Sequence, residues 1–326
     1  MVLYPLLFNP ILKATIWGGN DICRFKRIEP VQDGIGESWE ISHVKDNVSV
    51  VANGALAGKN LEELINLYGK ELIGEKNLKQ YGRRFPLLIK FIDARSDLSI
   101  QVHPNDELAR KRNAGSGKTE MWYVISAAKN SFLYSGFSRK ITPEEYIKTV
   151  ENNTFADTLQ KHDIAAGDVF FLPAGRVHAI GKGTFIAEIQ QTSDITYRIY
   201  DYNRKDAQGR SRELHTESAK DAIDYDMYPE YKTGYQSKRN EMTPLVSCPH
   251  FTTNLLEGNK EIVRNFEHTD SFVIYICMEG QFVLTDKNGC QINLKQGNTV
   301  LVPASCNSSI KLSLEMNCKI LETYIE

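Results

Sequence analysis

The chain has 326 residues, of which 41% are hydrophobic and 25% charged, and this composition is typical of a globular protein long enough to build two cores. A formal net charge of −2 gives no electrostatic reason to expect nucleic acid or a membrane surface as a partner. No apolar run is long enough to span a membrane, and the start of the chain lacks a basic leader and is broken by Pro5 and Pro10, so we expect no signal peptide.

The six cysteines form no CxxC pair, and five of them lie between residues 248 and 318. Neither a zinc finger nor a disulfide framework fits that spacing. We therefore interpret them as free thiols and expect a cytoplasmic protein.

The first predicted helix follows a series of short strands and lies near residues 60–75. Asn60 and Glu63 form a capping box there, ahead of apolar residues at helical spacing. Strand patterns return in FPLLIKFIDA, LSIQVHP, EMWYVIS and NSFLYSGF, where β-branched and aromatic residues dominate.

A small helical insert is predicted over residues 142–162. Thr142, Pro143 and Glu145 supply an N-cap, a first-turn proline and a capping-box acid. We expect the insert to continue as a second short helix near 155–161. A third helical segment is predicted near 216–225.

The segment GDVFFLPAGRVH, residues 167–178, predicts a strand, a tight turn and a second strand. Pro173 ends the first strand, Gly175 permits the turn, and His178 opens the next strand. With a histidine at that offset, the segment resembles the second signature motif of the cupin β-barrels. Imidazole is a common metal ligand, so His178 is a candidate ligand.

A polar stretch from about residue 228 to 241 is the best candidate for a linker, and the chain beyond it is nearly all strand. Residues 297–303 repeat the spacing of the earlier motif, but Ser308 stands where His178 does. We predict a mainly β protein with two cupin-type (jelly-roll) barrels, the small helical insert lying in the N-terminal half. The catalytic metal-binding domain would span 1–230, and a metal-free barrel would span 240–326.

Polar residues recur on one face of several predicted strands, because residues two apart in a strand share a face. Ser99, Gln101 and His103 share a face in LSIQVHP, and Lys118 and Glu120 share one in KTEMWYV. The opposite faces carry apolar residues, which favours an interior site over a solvated surface. Arg198 in TYRIY and Lys90 in LLIKF extend the same pattern.

Two histidines and a carboxylate with an open position are typical of a catalytic rather than a structural metal site. We therefore expect His103, Glu120 and His178 to bind the metal, with Gln101 as a fourth neutral ligand or as a partner of metal-bound water. Zinc is favoured, although manganese or iron would accept the same ligands. Lys90, Lys118 and Arg198 would be costly to bury beside this group unless they meet an anion such as a phosphate.

With these residues in place, the chain resembles the type I mannose-6-phosphate isomerases, in the shorter form common in bacteria, over nearly its whole length. The resemblance rests on WGG at 17–19, GESWEIS at 36–42, FPLLIKFIDA at 85–94, LSIQVHPND at 98–106, GKTEMWYV at 117–124, PAGRVHAIG at 173–181, EIQQTSDITYRIYDYNR at 188–204 and RELH at 212–215.

The resemblance implies a cytoplasmic enzyme with one zinc ion per chain that interconverts mannose 6-phosphate and fructose 6-phosphate. It places the metal on His103, Glu120 and His178, with Gln101 as an extra ligand in longer members, and it makes Arg198 the active-site arginine. Longer members carry a larger helical domain and KPE where this chain has KTE, which leaves the phosphate contacts open. We assign Gln101, Lys118, Lys90 and Ser99 to substrate binding.

The chemistry requires a base that moves a proton between C1 and C2. Glu188, Lys118 and the neighbours of His103 are the candidates. Two other hypotheses for the function remain open. The protein could be a metal cupin of another reaction class, such as a dioxygenase, or a sugar-binding cupin without catalysis. The partner is a small sugar phosphate, and we expect a monomer or a weakly associated homo-oligomer.

Overall fold

The computed structural model describes residues 2–205 and 208–326. Strands make up 41% of the chain and helices 18%, so the prediction of a mainly β protein is confirmed. Among the described residues, no helix is both long and apolar enough to cross a membrane.

The strands are short and numerous, as their β-branched and aromatic runs predict. They are β1 Leu6–Leu7, β2 Ile11–Gly19, β3 Ile35–Ile41, β4 His43–Val44, β5 Asn47–Val48, β6 Leu87–Ala94, β7 Ile100–Val102, β8 Glu120–Ala127, β9 Phe132–Phe137, β10 Leu159–Asp163, β11 Val169–Leu172, β12 His178–Ile180, β13 Thr184–Gln191, β14 Tyr197–Tyr200, β15 Lys232–Thr233, β16 Met242–Cys248, β17 Phe251–Gly258, β18 Glu261–Asn265, β19 Val273–Glu279, β20 Gln281–Thr285, β21 Gln291–Lys295, β22 Thr299–Val302, β23 Ser309–Leu314 and β24 Cys318–Tyr324.

The helices are also short, and most of them lie in the N-terminal half. They are α1 Asp21–Lys26, α2 Leu61–Tyr68, α3 Lys70–Ile73, α4 Glu75–Tyr81, α5 Asp106–Lys111, α6 Pro143–Glu151 and α7 Thr216–Ala222, with 3-10 turns at Gly54–Leu56, Phe155–Thr158 and Ala304–Cys306.

The predicted helix starts are present at both capped sites. The side chain of Asn60 accepts a hydrogen bond from the backbone N–H of Glu63. The side chain of Glu63 in turn accepts one from the backbone N–H of Asn60, so this capping box begins α2. The side chain of Thr142 caps α6 by accepting from the backbone N–H of Glu145, with Pro143 in the first turn, but the carboxylate of Glu145 accepts from Arg139 and completes no capping box. Helices therefore form within the segments predicted near 60–75 and 216–225, and in the first part of the segment predicted over 142–162.

The second short helix expected near 155–161 was wrong. Only a 3-10 turn forms at its start, and Leu159–Asp163 is strand β10, which pairs antiparallel with β9. Ladder hydrogen bonds to a neighbouring strand decide the conformation there, and the sequence does not reveal that neighbour. Helices α1, α4 and α5 were not predicted.

Two antiparallel sheets in the N-terminal half pack face to face. One is seven-stranded, in the order β15-β11-β8-β13-β6-β2-β3, and the other is five-stranded, in the order β10-β9-β12-β7-β14. Trp122, Phe170 and Ile92 from the first sheet meet Leu133 and Ile180 from the second in a common apolar core. The polar side chains described below line one end of this interior.

The outer face of the five-stranded sheet is covered by α6 and α7. Phe137, Tyr146, Tyr197 and Ala219 are buried together there, and the ring of Tyr146 meets that of Phe155 edge-on at 5.2 Å. The helical insert therefore supports the back of the sheet that carries β7, β12 and β14.

Two more sheets form the C-terminal half, in the orders β1-β22-β19-β24-β17-β16 and β18-β23-β20-β21. The first strand of the chain belongs to this half, because Leu6 pairs with Leu301. The predicted linker also contains structure: β15 pairs with β11, and Tyr231 beside it is buried. A shared core joins the halves, with the rings of Phe85 and Phe272 at 4.5 Å.

A buried ion pair should stabilise the C-terminal half. Glu322 is fully buried and accepts two hydrogen bonds of 2.9 Å from Arg264, one of 2.9 Å from the Tyr275 hydroxyl and one of 3.1 Å from Asn254. Glu322→Ala would leave the guanidinium of Arg264 without its carboxylate partner. We therefore expect the free energy of unfolding to fall by about 3 kcal/mol in denaturant titrations.

The matched control for that prediction is Glu261→Ala, which breaks an exposed ion pair with Lys311. Its expected cost is under about 1 kcal/mol, because solvent screens exposed charges. Equal losses in the two variants would contradict the stabilising role assigned to Glu322.

Candidate metal centre and active-site cavity

Three strand ends bring two histidines and a glutamate together in the interior between the N-terminal sheets. His103 follows β7, Glu120 begins β8, and His178 begins β12. Strand β12 pairs with β7, so that His178 lies opposite Gln101. All three predicted ligands are buried, and they form a group in which the candidate ligand atoms lie within 4.8 Å of one another.

The turn before His178 connects the two sheets. Strand β11 belongs to the seven-stranded sheet and β12 to the five-stranded one. Gly175 has a φ of +92°, which favours glycine, and its backbone N–H donates to the carbonyl of His103 at 2.9 Å. The predicted strand, turn and strand are confirmed, and the turn ties the segments that carry His103 and His178.

Backbone carbonyls orient both imidazoles. Nδ1 of His103 lies 2.7 Å from the carbonyl oxygen of Ile195, and Nδ1 of His178 lies 2.8 Å from that of Arg176. A carbonyl only accepts, so each Nδ1 carries the hydrogen and each Nε2 presents a lone pair. These lone pairs face Glu120, with Nε2 of His178 3.3 Å from Oε1 and Nε2 of His103 3.7 Å from Oε2.

Burial keeps the imidazoles neutral. Desolvation, followed by the charge of Lys118, lowers the pKa of His178 to about 3 and holds the pKa of His103 well below its usual value. Burial raises the pKa of Glu120 to about 7, against the opposing effect of Lys118. Neutral imidazole is the form of histidine that binds metal.

The residues fit a divalent cation. Both carboxylate oxygens of Glu120 are buried, which is costly for a carboxylate unless a positive charge stands beside it. Lys118 supplies part of that charge, with Nζ 2.8 Å from Oε2 and 3.2 Å from Nε2 of His103. Nε2 of Gln101 lies 3.3 Å from Nε2 of His178, so its amide borders the same group.

A cavity of about 130 Å³ opens beside this group, and the predicted substrate-binding residues line it. Its lining comprises Trp17, Glu37, Lys90, Ile92, Leu98, Ser99, Gln101, Lys118, Trp122, Ile180, Glu188, Thr196, Arg198 and Arg212. The face-sharing pattern of the strands therefore brings Ser99, Gln101, Lys118, Lys90 and Arg198 to one place.

The two lysines of the cavity already have carboxylate partners. Nζ of Lys90 lies 3.4 Å from both Glu37 and Glu188, and these charges outweigh burial and raise the pKa of Lys90. Lys118 is paired with Glu120. Burial of these lysines therefore does not by itself require an anionic ligand.

Arg198 differs from the lysines. Within residues 2–205 and 208–326, no carboxylate oxygen lies within 4.0 Å of its guanidinium. Nε donates to the hydroxyl of Ser99 at 3.3 Å and Nη1 to the carbonyl of Glu213 at 3.1 Å. An anionic ligand is therefore expected beside Arg198 rather than beside the two lysines.

Sequence reasoning missed Trp17, Glu37, Trp122 and Arg212 as lining residues. Glu37 lies within β3, whose other residues are buried. A charged residue in such an apolar strand could have indicated a functional site, because charged side chains are rarely buried without a partner. Trp122 donates from Nε1 to Oε1 of Glu188 at 2.9 Å, which no sequence pattern foretells. Arg212 lies in the RELH segment, without a strand period to place it.

Comparison with known proteins assigns the family. A sequence profile of the phosphomannose isomerase type I catalytic domain matches residues 6–130. Mannose-6-phosphate isomerase ManA of Bacillus subtilis (strain 168) is 37% identical over 86% of this chain and 87% of its own length. The chain belongs to the type I mannose-6-phosphate isomerase family.

Other members of the type I mannose-6-phosphate isomerase family agree in sequence and fold. Mannose-6-phosphate isomerase of Streptococcus mutans serotype c is 35% identical over 93% of this chain and 94% of its own. The crystal structure of the mannose 6-phosphate isomerase of Bacillus subtilis superposes with a TM-score of 0.87 at 31% identity and covers 99% of this chain and 100% of that chain.

A zinc-bound mannose 6-phosphate isomerase structure shares the fold as well. Its TM-score is 0.80, and the alignment covers 99% of each chain. At 16% identity this likeness concerns the fold alone. The evidence for a metal site in this chain is therefore the buried group of His103, Glu120 and His178.

Proposed function

We propose that this protein is a mannose-6-phosphate isomerase, which interconverts D-mannose 6-phosphate and D-fructose 6-phosphate by proton transfer through an enediol. The observation that carries the proposal is the buried group of His103, Glu120 and His178 at the edge of a polar cavity, in a chain of this family. In this proposal the reaction uses a bound cation, an oxyanion stabiliser and a base around one small sugar phosphate.

The cation in this proposal is one zinc ion per chain. His103, Glu120 and His178 would hold it, with Gln101 as a neighbouring neutral ligand. A zinc ion bound there would supply Lewis acidity to the sugar's carbonyl or hydroxyl oxygen. The carbonyl bonds from Ile195 and Arg176 keep the two imidazoles in the ligating tautomer.

We assign the oxyanion-stabilising role to Arg198. Its guanidinium lines the cavity, it is oriented by Ser99 and by the carbonyl of Glu213, and it has no carboxylate partner within ion-pair distance in the described part of the chain. A positioned cation of this kind stabilises charge that develops on an enediol oxygen. Ser99, Gln101, Lys90 and Lys118 would bind and orient the sugar.

Glu188 is the best-placed proton acceptor among the candidates. Burial alone would raise its pKa, but Lys118 and Lys90 outweigh burial and lower the pKa to about 2, so the carboxylate is ionised. Oε1 accepts from Trp122, while the buried Oε2 lies 3.4 Å from Nζ of Lys90. Lys118 is less suitable because its ammonium is paired with Glu120.

The mainly β fold can be divided further into two barrels. We infer two cupin-type barrels, a catalytic one over 1–230 and a metal-free one over 240–326 to which the N-terminal strand β1 contributes. Among the described residues, the group at His103 is the one cluster of His, Cys, Asp and Glu that could hold a metal. The protein would act in the cytoplasm as a monomer or a weak homo-oligomer.

The direct test measures fructose 6-phosphate formed from mannose 6-phosphate by the zinc-loaded protein in a coupled assay. Glucose 6-phosphate is measured beside it, because the two aldoses differ at C2 only. We expect turnover of mannose 6-phosphate above that of glucose 6-phosphate. If the folded, zinc-loaded protein forms no fructose 6-phosphate from either sugar, the proposed function is wrong.

A further inference from the structure

Arg198 lies on a strand that, in the described part of the chain, has a neighbouring strand on one side only. Strand β14 is the last strand of the five-stranded sheet, where it pairs with β7, and that pairing is irregular between Arg198 and Tyr200. Backbone groups on the open side of an edge strand need other partners, and an irregularity of this kind disrupts the ladder locally. The position of the Arg198 side chain therefore depends on what supports the open side of β14.

His215 occupies that open side. Its backbone N–H donates to the carbonyl oxygen of Arg198 at 2.7 Å, and its ring Nδ1 accepts from the backbone N–H of Arg198 at 3.2 Å. One residue thus satisfies both outward-facing backbone groups of Arg198. The carbonyl of Glu213 accepts from Nη1 of Arg198 at 3.1 Å, so the segment 213–215 holds the backbone and the side chain of the same arginine.

The ring of His215 serves the strand rather than the helix that follows it. His215 is the N-cap residue of α7, where Ser, Thr, Asp or Asn commonly accepts from the first turn, but among the described residues its side chain makes no capping bond. Helix α7 is anchored by the fully buried Ala219 and by the hydroxyl of Tyr146, which donates to the carbonyl of Thr216 at 3.1 Å. His215 therefore links a fixed helix to the edge strand that carries Arg198.

The contact also fixes the tautomer of His215. A backbone N–H only donates, so Nδ1 presents its lone pair and the hydrogen of the neutral ring lies on Nε2. His103 and His178 have the opposite tautomer, because their Nδ1 atoms face carbonyl oxygens. The tautomer of His215 is therefore a signature of its contact with Arg198 that spectroscopy can measure.

We propose that His215 is a positioning residue for the reaction, which fixes the backbone of Arg198 at the open edge of β14 and thereby sets where the guanidinium stands in the cavity. The role given to Arg198 rests on the proposed function, but the contact between the two residues does not. A preorganised cation stabilises developing charge without rearranging at the moment of reaction. Misplacement of an active-site group by about 1 Å can slow a reaction by about 10²-fold.

The first experiment compares His215→Ala with the wild type as zinc-loaded proteins. We expect kcat for mannose 6-phosphate to fall by about 10-fold, because Arg198 is displaced but still present, while KM changes by less than about 2-fold and zinc content is unchanged. Ala219→Gly is the matched control, because it weakens α7 but leaves the side chain of His215 in place. It should keep kcat within about 2-fold of the wild type.

A double-mutant cycle tests whether His215 acts through Arg198. In the Arg198→Ala background, His215→Ala should change kcat by less than about 2-fold, because the group that it positions is already gone. A further fall of about 10-fold in that background would show that His215 acts on something other than Arg198, and the proposal would be overturned.

A third measurement is independent of catalysis. Nitrogen NMR of isotope-labelled histidine at about pH 8, where imidazole is ordinarily neutral, should show His215 with its hydrogen on Nε2. The signals of His215 are those that disappear in His215→Ala. A hydrogen on Nδ1 would exclude the bond from the backbone N–H of Arg198, and the positioning role would be wrong.

The two proposals fail separately. If the wild type isomerises mannose 6-phosphate but His215→Ala keeps the wild-type kcat, or only raises KM, the positioning role is wrong and the isomerase stands. If the zinc-loaded wild type forms no fructose 6-phosphate, the isomerase is wrong and the role of His215 in that reaction falls with it. The tautomer measurement then still decides whether His215 holds the edge of β14.

Discussion

Replacement of His178 by alanine is expected to remove the metal and reduce isomerase activity by at least about 10³-fold, because Lewis-acid stabilisation supplies several kcal/mol of the barrier reduction. His178 is fully enclosed, its Nε2 faces Glu120 at 3.3 Å, and its tautomer is fixed by the carbonyl of Arg176. Alanine leaves Glu120 and His103 with only the neutral amide of Gln101 beside them, and this reduced set of ligands binds zinc far more weakly. Metal analysis of purified protein and the coupled assay measure the two effects.

His268→Ala is the matched control, because His268 is exposed and lies outside the ligand group. It should keep about one zinc ion per chain and full activity. Chelation of the wild type should abolish turnover, and added zinc should restore it. The metal assignment is contradicted if His178→Ala keeps full zinc content and activity, or if completely metal-free protein turns over undiminished.

Arg198→Ala should lower kcat by about 10²- to 10³-fold while zinc stays bound. Arg198 presents its guanidinium to the cavity without an ion-pair partner within 4.0 Å in the described part of the chain, so its charge is available to an oxyanion of the reacting sugar. Ser99 and the carbonyl of Glu213 fix the side chain, so the cation is positioned before the reaction. The measurement is kcat beside zinc content.

Arg198→Lys is the informative companion variant, because it keeps a charge but changes the geometry of the donors. Partial recovery of kcat would support an electrostatic role. Loss of zinc together with Arg198 would show instead that the residue maintains the metal centre, and the catalytic assignment would be wrong.

The strand period was sufficient to place most of the cavity residues. In LSIQVHP, alternation puts Ser99 and Gln101 on the inner face, and both line the cavity. Strand β14 pairs with β7 so that Arg198 lies opposite Gln101, and both polar side chains therefore belong to the same face of the sheet. The turn at Gly175 could be predicted from the sequence, because a backbone position with positive φ favours glycine.

Sequence patterns failed where a partner is distant along the chain. The strand at Leu159–Asp163 was read as helix because its ladder partner β9 lies more than twenty residues away. Two-residue β1 carries no signal that it joins strands near residue 300. The partners of Lys90 and the tautomers of His103 and His178 likewise depend on atoms that only the fold brings near.

Period-two alternation and turn chemistry are local properties of the chain, so the sequence by itself was enough to predict a mainly β fold and the side chains that gather around His103, Glu120 and His178. The family was predicted from the resemblance of whole motifs. Only the tertiary structure decided how charge is distributed in the cavity. Lys90 and Lys118 are paired with carboxylates, and Arg204 and Arg212 are paired with the buried Asp201, whereas Arg198 has no carboxylate within 4.0 Å in the described part of the chain. Coulomb energies depend on distance and burial, and neither is set by spacing along a sequence.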